Sequence, residues 1–253
     1  MNIAFISAIV PVVILLIFIY RKDKYQHEPL GKLLLTFFVG CLSVIPAGLQ
    51  ETLLMPLAPS ADALPVANGI FDGYLVAGVS EELWKLLLLM LVIWRSPHFD
   101  EYFDGIVYAA YLSLGFACVE NIGYVMGGDD QMATALMRGL LAVPAHFLFA
   151  VIMGYHLSLA KFDHERRGGH LLRAFLYPAL LHGTYDALLM ISSNLGGDDG
   201  SVSIVCGVLF IVFVVFDIKM WRWGLKRIKR LQERSKEQTF DRSHPFDGFT
   251  WDI

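Results

Sequence analysis

The chain has 253 residues, 56% of them hydrophobic and 17% charged, with a mean hydropathy of +0.54. Soluble domains lie nearer about 45–50% apolar and about 25% charged, so this composition belongs to a protein housed in lipid. A net charge of −4 and a pI near 6.0 exclude nucleic acid as the main partner.

A spanning helix needs about 20 mostly apolar residues. Seven stretches meet that length: 3–20, 33–56, 70–94, 104–125, 138–160, 172–192 and 202–221. The first has no basic region before its apolar core and ends at "YRKDKY", so it reads as a retained helix rather than a cleaved leader. The second carries Glu51 near its outer end, a position that reads as interfacial. The third contains "GVSEELWKLLLLMLVIW", with Glu81, Glu82 and Lys85 inside an otherwise lipid-compatible run. The fourth holds Glu120, the fifth His146, and the sixth His182 and Asp186. The seventh, "SIVCGVLFIVFVVFD", has a lysine only at its inner end, Lys219. Cys41, Cys118 and Cys206 lie in apolar runs without metal or disulfide spacing and read as packing residues.

No linker or repeat interrupts the chain. The expected architecture is therefore an all-α polytopic bundle of about seven transmembrane helices over residues 1–221, followed by a polar, flexible cytoplasmic tail over 222–253. The basic start of that tail suits the anionic inner leaflet of the lipid bilayer. Orientation follows from the basic residues. Arg21, Lys22, Lys24 and Lys32 fill the first loop, Arg95 the third, and Lys161, Arg166, Arg167 and Arg173 the fifth. In contrast, "PLAPSADALPVANG", "GGDDQMATAL" and "SSNLGGDDG" contain no lysine or arginine. The N-terminus is thus expected outside and the C-terminus in the cytoplasm.

An ionised side chain at the centre of a spanning helix costs about 2.5–3.5 kcal/mol on insertion scales, so the buried polar residues need a reason. At a rise of about 1.5 Å per residue, Glu81 and Glu82 fall three turns below the outer surface and His146 about two. Glu120, His182 and Asp186 fall at similar depths on helices of opposite direction. Four helices thus bring polar groups to one level in the outer half of the bilayer, which predicts a single site. Residues four apart share a helix face, so "HGTYD" pairs His182 with Asp186, and Lys85 can neutralise Glu81. Adjacent residues point about 100° apart, so Glu81 and Glu82 are expected to aim at different points. Bland alternatives exist for each group alone: a self-neutralising Glu–Lys pair, or His146 bonded to a carbonyl freed by Pro144.

Two histidines with several carboxylates suit either a metal site of nitrogen and oxygen ligands or a metal-free, water-activating carboxylate site. No HExxH or GxSxG motif occurs, and Ser80 is the nearest serine to the cluster, without a recognisable nucleophile context. The rival class is a proton- or cation-coupled transporter using the same buried groups, which predicts an internal repeat with paired broken helices that is not seen.

At these residues the chain resembles the PrsW intramembrane proteases, relatives of the CAAX prenyl endopeptidase and of bacteriocin-processing membrane proteases. The family's EExxK stands here as "EELWK", its FxxxE as "FACVE" within "HFDEYFDGIVYAAYLSLGFACVENIGY", its lone histidine as His146 and its HxxxD as "HGTYD". "KDKYQHEP" and "IMGYHL" are also similar, and the likeness runs from about residue 5 to 225. The resemblance implies a multi-pass protease of the bacterial plasma membrane that cuts a single-span anti-sigma factor on its outer side during stress signalling. It implies catalytic roles for Glu81, Glu82, His146, His182, Glu120 and Asp186, with Lys85 in support. If a metal takes part, His146, His182 and Glu82 are the expected ligands and Zn2+ the expected ion; a metal-independent glutamate mechanism is the alternative.

Overall fold

The computed structural model describes residues 3–196 and 200–243. Its elements are α1 (Ile3–Lys22), α2 (Leu30–Leu54), α3 (Pro65–Phe71), α4 (Ser80–Ile93), α5 (Asp104–Gly127), α6 (Gln131–Leu140), α7 (Ala142–Phe162), α8 (Arg167–Asn194) and α9 (Gly200–Ser243). Among the described residues there is no strand, and six helices are long and apolar enough to cross a membrane.

The bundle is organised around α5 and α7, which are buried along most of their length. Gly105 and Gly154 let these two helices touch backbone to backbone: a Cβ added at Gly154 would lie 2.6 Å from the Ile106 Cα. Small residues at such crossings are the usual device for close helix packing in lipid. The outer helices bury only one stripe. Along α2, Leu34, Phe38, Leu42, Ile45, Leu49 and Leu53 are exposed, spaced three or four apart on the face that meets acyl chains.

The third expected span differs from a plain α-helix. Residues 65–93 form one continuous run, but Asp72–Val79 between α3 and α4 is π-helical. A π segment closes i→i+5 bonds and often marks a functional site; here the Ser80 hydroxyl donates to the Leu75 carbonyl, five residues back, at 3.3 Å. The segment lies where α8 comes close. A Cβ at Gly78 would sit 2.6 Å from the Ala179 carbonyl oxygen and 2.9 Å from the Gly183 nitrogen, so glycine is needed for the approach.

Pro144 falls in the first turn of α7, where a missing N–H costs nothing. It opens the helix rather than freeing a carbonyl within it. The stretch expected as a flexible tail from residue 222 also differs, because α9 continues unbroken to Ser243. Ile228, Leu231 and Ser235 are buried. Ser235 Oγ accepts from the Phe103 N–H at 2.9 Å, and Gln238 Nε2 donates to the Asp100 carbonyl at 2.9 Å. Docking against the turn before α5 supplies the order that the polar sequence alone does not suggest. Residues 244–253 of the expected tail lie outside the described residues.

Candidate active site

The first two turns of α4 carry Glu81, Glu82 and Lys85, all of them buried. Lys85 Nζ donates to Glu81 Oε2 at 2.9 Å and to Glu82 Oε1 at 2.8 Å. The two glutamates therefore aim at one point, not two. Each side chain has enough torsions to offset the 100° between neighbouring positions, and the ammonium draws both inward. The same Nζ lies 4.0 Å from the centre of the Phe116 ring, a cation–π contact supplied by α5.

Each histidine is held from both sides. His182 Nε2 meets Asp186 Oδ2 at 3.0 Å, the pairing that four-residue spacing on α8 allows. Its Nδ1 faces α4, 3.0 Å from Glu82 Oε1 and 3.9 Å from Glu81 Oε2. Phe149 of α7 stacks on the ring at 4.7 Å between centroids and fixes its plane. His146 Nε2 meets Glu120 Oε2 at 2.8 Å, while its Nδ1 lies 3.2 Å from Lys85 Nζ. Its partners are thus a carboxylate and an ammonium instead of a helix carbonyl. The two imidazoles are 5.2 Å apart, edge to face.

A cavity of about 410 Å³ opens beside this cluster. Glu81, Glu120, His146, His182 and Asp186 line it, with Phe116, Phe149 and Val76 among its apolar walls. Glu82 and Lys85 lie behind that wall, each with 0% exposure. All seven polar residues singled out in the sequence meet here. Ser80 does not, because its hydroxyl is bonded back to Leu75.

Two further residues belong to the cavity wall: Glu51, read from the sequence as interfacial, and Arg138, not singled out there. Arg138 of α6 donates to Glu120 Oε2 at 2.8 Å and its guanidinium covers the Tyr124 ring at 3.9 Å. A signal for Arg138 was present: it is the basic residue that follows the basic-free outer segment "GGDDQMATAL", on the side where positive charge is disfavoured.

The PrsW family intramembrane metalloprotease model matches residues 28–217, a range that contains every residue of the cluster. The chain belongs to the PrsW family. Relatives named Protease PrsW include those of Bacillus subtilis, 37% identical over 231 residues (90% of this chain, 95% of the relative), and of Geobacillus kaustophilus, 35% identical over 232 residues (92% and 93%). That of Clostridioides difficile is 32% identical over 248 residues, covering 93% of this chain and 94% of the relative. No solved structure matches. The protein is accordingly a multi-pass membrane protease, and the transporter reading of the same buried groups finds no support.

Do these residues suit a metal, as membership of a metalloprotease family implies? Glu81, Glu82, His146 and His182 each offer a donor atom, and the four lie within 4.8 Å of one another. Both histidines turn Nδ1 toward that focus and Nε2 toward a carboxylate, Asp186 or Glu120. A carboxylate behind the ring is the usual support of a metal-ligating histidine. Glu82 Oε2 is buried without a hydrogen-bond partner. The set fits a metal of borderline character, and the Lys85 ammonium stands among the same donors as a resident positive charge.

Proposed function

We propose that this PrsW-family protein is a protease of the bacterial plasma membrane that hydrolyses a peptide bond near the outer end of a single-span regulatory protein, an anti-sigma factor. The observation that carries this reading is the convergence of α4, α5, α7 and α8 on one polar cavity, at the depth in the outer half of the bilayer inferred from helix direction. On this reading residues 1–221 hold the catalytic body, and the basic face of α9 beyond it rests on the inner leaflet.

Glu81 is the general base, because it alone of the two glutamates reaches the cavity. It takes a proton from water as the oxygen attacks the scissile carbonyl carbon, and returns that proton to the leaving amine nitrogen as the C–N bond breaks. His182 has a carboxylate on each ring nitrogen. With both carboxylates ionised, both nitrogens donate, so the ring brings positive charge beside the developing oxyanion. Glu82 and Lys85 position Glu81 and His182 from behind. Glu120, bridging His146 and Arg138, closes the opposite wall.

Zinc is the ion that this nitrogen and oxygen donor set suits: His146, His182 and Glu82 would hold it, and it would supply Lewis-acid polarisation and activation of water there. The ammonium of Lys85 among the donors favours the second version, in which the carboxylates act without metal. Elemental analysis and chelation separate the two. Zinc near one per chain, with activity lost on chelation and restored by zinc, supports the first; full activity after complete metal removal contradicts it.

The reading as a whole is tested in proteoliposomes containing the full chain and a single-span anti-sigma factor. Cleavage at the outer end of the substrate span, located by mass spectrometry, is the expected result. Ion-coupled transport without cleavage would contradict the proposal.

A further inference from the structure

A second group of acids, unused by the site above, gathers at the opposite end of the bundle. Asp23 and Glu28 come from the connection between α1 and α2; Asp100 and Glu101 precede α5, and Asp104 opens it. These are the stretches "KDKYQHEP" and "HFDEYFDG", residues 22–29 and 98–105, far apart in sequence. The fold brings them together through Tyr108, one turn into α5, whose hydroxyl donates to Glu28 Oε2. Asp23 Oδ2 accepts from the Glu28 N–H at 3.3 Å. Asp104 Oδ2 accepts the N–H groups of Asp100 at 3.0 Å and Glu101 at 2.6 Å.

Three features set this group apart from an ordinary solvated acidic patch. Glu28, Asp100 and Asp104 each offer an oxygen, and the three lie within 4.8 Å of one another. Asp104 is 0% exposed, and its Oδ1 has no hydrogen-bond partner. Among the described residues, no lysine or arginine forms an ion pair with Asp23, Glu28 or Asp104; Asp23 has only His27 Nδ1, at 4.0 Å. Buried carboxylates are normally paired or bound to metal. Here burial, helped by the neighbouring carboxylates, pushes the Glu28 carboxyl up to about 7 and that of Asp23 up to about 6.

We propose that Glu28, Asp100 and Asp104 form a divalent-cation site on the cytoplasmic side, separate from the catalytic cluster. Oxygen donors without nitrogen or sulfur select a hard ion, calcium or magnesium, over zinc. Oxygens bound to one calcium ion lie no more than about 4.8 Å apart, twice a calcium–oxygen distance of about 2.4 Å, and these three all fall within 4.8 Å of one another, so they can close on one ion; magnesium would require them to draw in further. Glu120, sixteen residues further along α5, is about 24 Å away at a rise of 1.5 Å per residue, so the two sites do not share an ion. The cation would fasten the α1–α2 connection to the start of α5, beside the turn on which α9 docks through Ser235 and Gln238.

Terbium serves as the probe, because it enters calcium-type oxygen sites and is sensitised by a nearby tyrosine, here Tyr108. The full chain is purified in detergent and stripped of metal, with Glu81→Gln and Glu82→Gln present to silence the catalytic cluster. Tyrosine-excited terbium emission should saturate near one ion per chain. It should fall at least about tenfold in Glu28→Gln and Asp104→Asn, with size-exclusion elution confirming the fold. Asp100→Asn, less deeply buried, gives the same reading if Asp104→Asn does not fold. Displacement by calcium or by magnesium at the lower concentration names the physiological ion. Undiminished emission in Glu28→Gln and Asp100→Asn, or no saturable emission, would overturn the site. So would the signature of a proton-only cluster, which is no terbium binding together with thermal stability that rises as pH falls from 7 to 5.

Discussion

Lys85 Nζ lies 3.2 Å from His146 Nδ1. An ammonium can only donate, so Nδ1 accepts and the ring proton sits on Nε2, where it is donated to Glu120 at 2.8 Å. One lysine thereby fixes the tautomer of a histidine on α7 while neutralising both glutamates on its own helix. Lys85 is the centre from which the geometry of the site is set.

Removing that centre should be expensive. Lys85→Met leaves two buried carboxylates without their cation, and breaking a buried pair from one side costs about 3–5 kcal/mol. Thermal unfolding in detergent should show a large drop, partly recovered when Glu82→Gln is added, because one of the two uncompensated charges is then gone. An unchanged melting temperature would mean that the pair contributes nothing.

Arg138 acts through Glu120. Arg138→Ala frees that carboxylate from one of its two partners, and loss of such outer support for a histidine costs about 10–100-fold in activity. Arg138→Lys should recover part of the loss at equal stability, since it restores charge without the guanidinium's stacking on Tyr124. Equal cleavage rates in wild type and Arg138→Ala would remove it from the site.

The helix approach at Gly78 is steric. With the Ala179 oxygen 2.6 Å from an added Cβ, Gly78→Leu must push α4 away from α8 and separate Glu82 from His182. Cleavage should be lost and the melting temperature lowered. Gly31, with nothing within 4 Å of an added Cβ, provides the control: Gly31→Ala should be neutral or stabilise α2 by about 0.5–1 kcal/mol.

The docking of α9 can be measured separately. Ser235→Ala leaves the buried Phe103 N–H without its acceptor, a change worth about 1–3 kcal/mol. It should lower stability and leave the chemistry at Glu81 untouched, so kcat on the folded fraction stays at the wild-type value.

Much of this was legible in the sequence because lipid constrains it. Apolar runs of fixed length give the spans, loop charge gives their direction, and a constant helical rise brings Glu81, Glu120, His146 and His182 to one depth before any coordinate is known. Other features depend on neighbours that are distant in sequence. The π segment at 72–79 lies where α8 packs onto Gly73 and Gly78, and no local periodicity encodes that. The convergence of Glu81 and Glu82 is a matter of side-chain torsions around one ammonium. Arg138 finds Glu120 across a helix boundary, and the polar end of α9 is ordered by its bonds to residues 100–103.

Glu81 on the cavity wall and Glu82 behind it make the most direct test. Cleavage of a single-span membrane substrate is followed in proteoliposomes for wild type, Glu81→Gln and His182→Ala, with thermal unfolding of each confirming the fold. The account predicts a loss of at least about 10²-fold, the lower end of a general-base contribution, in Glu81→Gln at wild-type melting temperature, and a comparable loss in His182→Ala. Cleavage by both variants at the wild-type rate would contradict it and place the chemistry elsewhere in the chain.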